Sequence, residues 1–156
     1  MRTGYLVTAV MILASAAMAQ VKPYASAADI AAMIAKAKAE RKPDQANFTQ
    51  TIVQASPYIA RLEYRVAAVK ADPTVHEHEA EMFYVVEGGA TLTTGGKLKD
   101  EKRTNPGNLS GSGIEGGTSR KVAKGDFFMV PENTPHGFSD LDGTLVLMSI
   151  HLPSKI

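Results

Sequence analysis

The clearest alternation in the chain runs over residues 58–66. Tyr58, Ala60, Leu62, Tyr64 and Val66 occupy one set of positions, and Ile59, Arg61, Glu63 and Arg65 the other. A period of two marks a half-buried β-strand. Shorter strand-like runs follow at 82–86, 90–94, 121–122, 127–130 and 145–152. Turn residues separate them: Glu87-Gly88-Gly89, Gly95-Gly96, Lys124-Gly125-Asp126, Pro131-Glu132-Asn133 and Asp142-Gly143. Many short strands punctuated by Gly and Pro predict an all-β domain, an antiparallel sandwich or barrel.

Helical spacing occurs early, where Ile30, Met33, Ile34 and Ala37 recur after Ser26-Ala27-Ala28-Asp29. That tetrapeptide is a capping-box variant, with Asp where Glu or Gln is usual. Lys38, Arg41 and Lys42 put cations near the end and Pro43 stops the run. These signals predict a helix of ~15 residues that covers an edge or an open end of the main domain. Residues 97–119 are rich in Gly, Ser, Asn and Lys and poor in apolar side chains. They read as a long connection, a solvated hairpin extension in preference to an active-site lid.

The first nineteen residues stand apart from the fold. Arg2 precedes an apolar run from Tyr5 to Leu13, which ends in Ala14-Ser15-Ala16-Ala17-Met18-Ala19 before Gln20. A positive start, a short apolar stretch and an A-x-A end describe a secretory signal peptide cut after Ala19. The run is shorter than the ~20 apolar residues of a membrane-spanning helix. The expected organisation is therefore a signal peptide over 1–19, a helical arm over 20–46 and a β-barrel domain over 47–156. The expected location is periplasmic or secreted, with no membrane partner once the signal is removed.

Length and charge narrow the picture. A chain of 156 residues is one domain by the usual prior of ~100–200 residues. Lys and Arg number 17 against 16 Asp and Glu, so no charge excess points to nucleic acid. Cysteine is absent, which excludes disulfides, thiolate metal sites and a Cys nucleophile.

Four histidines remain as candidate chemistry. His76 and His78 are spaced i, i+2, and on a strand such residues share one face. Glu81 follows just past the expected turn, and His136 lies after Pro131-Glu132-Asn133-Thr134-Pro135. Three neutral imidazoles and one carboxylate make a good ligand set for a divalent transition metal. His151, on the last strand, reads as a surface or hydrogen-bonded residue. Arg61, Glu63 and Arg65 share one strand face, which reads as solvated and paired across strands. Were that face to line a cavity, the arginines could bind a carboxylate. Tyr84, Phe128, Met129, Phe138 and Met148 read as core or cavity wall.

Two segments resemble the motifs of the cupin superfamily, a small double-sheet β-barrel or jelly roll. His76-x-His78, Glu81 and Gly88 fit the first motif, with six residues between Glu81 and Gly88. Two residues separate His78 from Glu81, one fewer than usual, and Glu79 is the alternative carboxylate. Gly125, Pro131, Asn133, His136 and Asp140 occupy the slots of the second motif. There Asn replaces the middle glycine and Asp the terminal Asn. The resemblance implies a cupin-type double-stranded β-helix over about residues 47–152, with His76, His78, Glu81 and His136 as metal ligands. It implies one divalent ion (iron, manganese, nickel, copper or zinc), a small-molecule ligand or substrate, and a homodimer. It leaves two functional readings: a metal-dependent enzyme of dioxygenase, lyase, isomerase or decarboxylase type, or a non-catalytic metal- or ligand-binding module.

Overall fold

A computed structural model describes residues 23–154; the expected signal peptide over 1–19 lies outside them. Helix α1 spans Ala27–Glu40. Its start has the full capping box: Ser26 Oγ accepts from the Asp29 N–H at 3.1 Å, and the Asp29 carboxylate accepts from the Ser26 N–H at 2.8 Å. No helix among the described residues is long and apolar enough to cross a membrane.

Thirteen strands follow among the described residues: β1 (Asn47–Ala55), β2 (Tyr58–Val66), β3 (Thr74–His76), β4 (Glu79–Glu87), β5 (Gly89–Thr94), β6 (Lys97–Lys99), β7 (Lys102–Asn105), β8 (Asn108–Ser110), β9 (Gly113–Glu115), β10 (Thr118–Ala123), β11 (Phe127–Val130), β12 (His136–Ser139) and β13 (Thr144–Pro153). They form a five-stranded sheet in the order β1-β2-β13-β4-β11 and a six-stranded sheet in the order β10-β5-β12-β3-β8-β7. All the pairings are antiparallel. The pair β6-β9 stands apart.

Strand parity assigns the two cores. Odd positions of β4 and β13 point between the sheets. There Phe83, Val85, Leu145 and Leu147 pack with Leu92, Val122, Val130 and Phe138. Even positions of β2 and β13 point to the other face, where Leu62, Tyr64 and Val146 pack with Ile52 against Ile34 and Ala37 of α1. The helix thus covers the outer face of the five-stranded sheet instead of an open end. The consequence for β2 is that Arg61, Glu63 and Arg65 face the barrel interior, and they line its cavity. The expected solvated face is corrected: the apolar half of β2 is claimed by the helix, so the charged half turns inward.

Two further expectations change in part. Residues 97–119 do form a mostly exposed hairpin extension, β7–β8, but they hold further short strands as well, and β8 joins β3 and extends the six-stranded sheet. Their side chains are mostly exposed, so hydrophobic patterning carried no trace of them. Phe128 and Phe138 are in the core, but Tyr84 and Met129 are exposed with Phe127 on the outer face of β4 and β11.

Candidate metal centre

The barrel interior gathers His76, Glu81, His136 and His151. Glu81 and His151 are cross-strand partners on β4 and β13. His136, on β12, and His76, on β3, come from the opposite sheet. Glu81 is 4% and His136 5% exposed. All three imidazoles turn Nε2 toward the one carboxylate: His76 lies 3.3 Å and His136 3.2 Å from Glu81 Oε2, and His151 lies 3.2 Å from Oε1. The ring of His76 is 5.4 Å from that of His136 and 5.0 Å from that of His151, centre to centre. Ligand atoms of His76, Glu81 and His151 all lie within 4.8 Å of one another.

The other nitrogen of each ring is held from outside. His76 Nδ1 is 2.8 Å from Asn108 Oδ1 on the neighbouring strand β8. His151 Nδ1 is 2.9 Å from Glu79 Oε2, and His136 Nδ1 is 3.1 Å from the Thr134 carbonyl. An Nδ1–H donated to each of these oxygens leaves an Nε2 lone pair aimed at Glu81. A lone pair facing a carboxylate at this distance is repulsive unless a cation lies between them, either a proton on the ring or a metal ion. Outer acceptors that fix the ring tautomer are the usual support of metal-bound histidines. Thr74 Oγ1, 3.4 Å from His136 Nε2, is a further hydroxyl at the site.

The protonation equilibria carry the same conflict. Burial opposes the charged form of His76. Hydrogen bonds to Glu81 and Asn108 and the Glu81 and Glu79 charges outweigh it, so its pKa is raised. His151 is raised likewise: burial again opposes, and Glu81 and Glu79 prevail. Burial alone would raise the Glu81 carboxyl, yet hydrogen bonds from the three histidines hold it far below the usual carboxylate range.

The residues expected from sequence fall into two groups. His76, Glu81 and His136 come together. His78 does not join them: β3 ends at His76, so the same-face rule for strands does not reach two residues on. His78 sits exposed in the bend before β4, where its backbone carbonyl accepts from the Ser154 N–H at 2.9 Å and hydroxyl at 3.1 Å. Between the two candidate carboxylates, Glu81 reaches the centre, and Glu79 stands one step outside, against His151. The residue that the sequence reading passed over is His151. Its signal was parity: counting by twos along β13 from Leu145 and Leu147 leads to Ser149 and His151 on the same inward face.

The turn before His136 fastens two neighbouring strands of the six-stranded sheet, β3 and β12, to each other. Asn133 adopts φ +53°, the left-handed region that Asn tolerates best after Gly. In that conformation its N–H donates to the His76 carbonyl at 2.7 Å, tying one ligand strand to the loop that presents the other. Gly88, at the end of the first motif, has φ +79°, and a Cβ there would meet the Thr144 carbonyl oxygen at 1.8 Å.

Beside the cluster lies a cavity of about 330 Å³ lined by Asn47, Thr49, Arg61, Glu63, Arg65, Asp72, Thr74 and Phe138 as well as His76, His136, His151 and Glu81. That is near the lower end of the ~300–1,000 Å³ usual for small-molecule sites.

No protein-family model and no curated protein matches this chain. Solved structures share its architecture. An uncharacterised double-stranded β-helix protein from Klebsiella pneumoniae gives a TM-score of 0.53 at 13% identity, covering 74% of this chain and 84% of that one. The Fe(II) form of HppE gives 0.52 at 14% identity, covering 69% of this chain and 52% of that one. The cupin domain of Cnp3 from Schizosaccharomyces pombe gives 0.51 at 13%, covering 74% and 71%. The chain has the all-β double-stranded β-helix, the fold of the cupin superfamily. At these identities the likeness is one of fold.

Proposed function

We propose that this cupin holds one divalent transition metal on His76, Glu81, His136 and His151, and that the adjoining cavity takes a small oxygen-bearing molecule. The observation that carries the reading is the orientation of the three rings, each tied at Nδ1 from outside with Nε2 turned on a single carboxylate. The donor set suits such an ion, since imidazole and carboxylate fit iron, manganese, nickel, copper and zinc alike. HppE, a structural neighbour, is described with Fe(II). A bound ion of this kind supplies Lewis-acid polarisation of an oxygen ligand or an acidified water. The chain itself orients the rings through Asn108, Glu79 and Thr134, and supplies the walled cavity in which a ligand is desolvated.

A metal-dependent enzyme is favoured over a purely structural site because the cavity borders the ligands directly. Four protein ligands leave positions open on an octahedral ion and none on a tetrahedral one. Elemental analysis of protein refolded or expressed with each metal tests the proposal, followed by oxygen-uptake and turnover screens on diketone, phenolic and small carboxylate substrates. About one equivalent of metal per chain, with turnover, is expected. Loss of all metal on simple dialysis contradicts the metal reading. Stoichiometric metal with no turnover favours the binding module.

Export belongs to the same proposal and rests on residues 1–19. Sequencing the N-terminus of protein recovered from the native host should give Gln20 first; an intact Met1 start contradicts it.

A further inference from the structure

Two guanidiniums face the cavity from the same strand, and they are not equivalent. Arg65 is neutralised. Its Nη2 donates to Glu63 Oε2 at 2.6 Å and its Nε to the same oxygen at 3.1 Å. Its guanidinium also lies 5.1 Å from the centre of the Phe138 ring. Glu63 is 5% exposed, and it accepts from Asn47 Nδ2 as well, at 2.9 Å. Arg61 is half-buried and lines the same cavity, yet it makes no ion pair or hydrogen bond with any described residue. Its cross-strand partners are Thr51 on β1 and Ser149 on β13, neither of them anionic.

An arginine cannot shed its charge to relieve burial. A partly desolvated guanidinium without an acceptor is therefore a standing demand for an anion, and its planar fork matches a carboxylate with two parallel hydrogen bonds. The local charge agrees. Glu63 and Arg65 cancel, the exposed lining carboxylate of Asp72 is offset by Lys102 at 3.9 Å, a divalent ion on Glu81 leaves about +1, and Arg61 adds another positive charge to the same small space.

We propose that Arg61 is the anion-recognition residue of this cavity, and that the molecule it takes carries a carboxylate, a second oxygen of which meets the histidine–glutamate cluster. The second contact rests on the metal reading given above; the first rests on Arg61 alone. A cavity of about 330 Å³ suits a small carboxylic acid.

The test uses the protein loaded with zinc, dialysed free of excess metal, and two probes of similar shape: malonate and its uncharged diamide, malonamide. Calorimetric titrations compare the wild type with Arg61→Gln and Arg61→Lys, with thermal melts to verify that each variant is folded. The wild type should bind malonate more tightly than malonamide. Arg61→Gln should hold zinc as the wild type does, yet lose about tenfold to a hundredfold in malonate affinity, the size of lost charge-assisted hydrogen bonds. Arg61→Lys should keep part of that affinity.

Zinc retained with equal malonate affinity in wild type and Arg61→Gln would overturn the proposal and leave the metal reading intact. A protein that holds no zinc refutes the metal reading instead. The same malonate titration then decides the role of Arg61: binding lost in Arg61→Gln upholds it, and absent or unchanged binding rejects it.

Discussion

Single residues decide whether the centre binds an ion, and two histidines separate the accounts most sharply. His151 is half-buried against Glu81 and Glu79, whereas His78 is exposed in the bend before β4. Replacing His151 by Ala should lower metal affinity by well over the ~10–100-fold that loss of an outer support costs. His78→Ala should leave it unchanged. Competition titrations against a chromogenic chelator measure both. Equal effects, or a reversed order, would remove His151 from the ligand set.

Titration of the same rings gives a pH dependence of opposite sign in the two forms. The pKa values of His76 and His151 are raised in the folded chain without metal. Their contribution to stability is fully present below the ordinary histidine value of 6.5 and is lost as pH rises through the raised values. Glu81 is depressed, so its contribution is present above the ordinary value of 4.5 and persists through this window. The metal-free protein should therefore melt at a higher temperature near pH 6 than near pH 8.5. In the metal-loaded protein protons compete for Nε2, and the increment in melting temperature due to metal should grow with pH. Parallel melts in chelator and in zinc measure both slopes; a metal increment that shrinks with pH refutes the competition.

Elements decide which face each residue presents. Leu62 is fully buried beneath α1, on the face of β2 opposite Arg61. Leu62→Ala should cost about 2–5 kcal/mol, as for other core truncations, while Tyr58→Ala, at an exposed position of the same strand, should cost under ~0.5 kcal/mol. Urea denaturation distinguishes them.

The extent of β2 and β11 and most of β13 is legible in the hydrophobic pattern, because each alternates or runs apolar without interruption. The pattern missed β1, where Gln50 occupies a helix-facing position and is satisfied by donating to the Met33 carbonyl at 2.7 Å. A register shift between Thr51 and Val53 breaks the alternation again. It also missed the end of β3, which decided the fate of His78. For β2 the alternation showed two faces but not which one was inside. Only the docking of α1 settles that, and a contact between distant segments leaves no mark in local periodicity.

At the scale of the whole molecule, the centre joins the two sheets: Glu81 and His151 come from one, His76 and His136 from the other. Metal bound there stabilises the closed barrel against its unfolded chain by mass action, by about 2.7 kcal/mol at a free concentration one hundred times the Kd. A chelator should lower the melting temperature of the wild type, and should have no effect on a His76→Ala/His136→Ala double variant. Glycine and turn positions make this architecture readable in the sequence, since Gly88, Gly125 and Asn133 all have positive φ and stand in the motif slots that resemble cupins. The identity of the third imidazole was less accessible, because His151 lies outside both motifs.

Four side chains from two sheets are proposed to grip a single ion. Anomalous diffraction from zinc-loaded crystals, recorded above and below the zinc edge, tests this most directly. One peak is expected inside the barrel at bonding distance, ~2.0–2.2 Å, from Nε2 of His76, His136 and His151 and from a Glu81 oxygen. A peak ligated by His78, or a barrel interior without one, would contradict this arrangement.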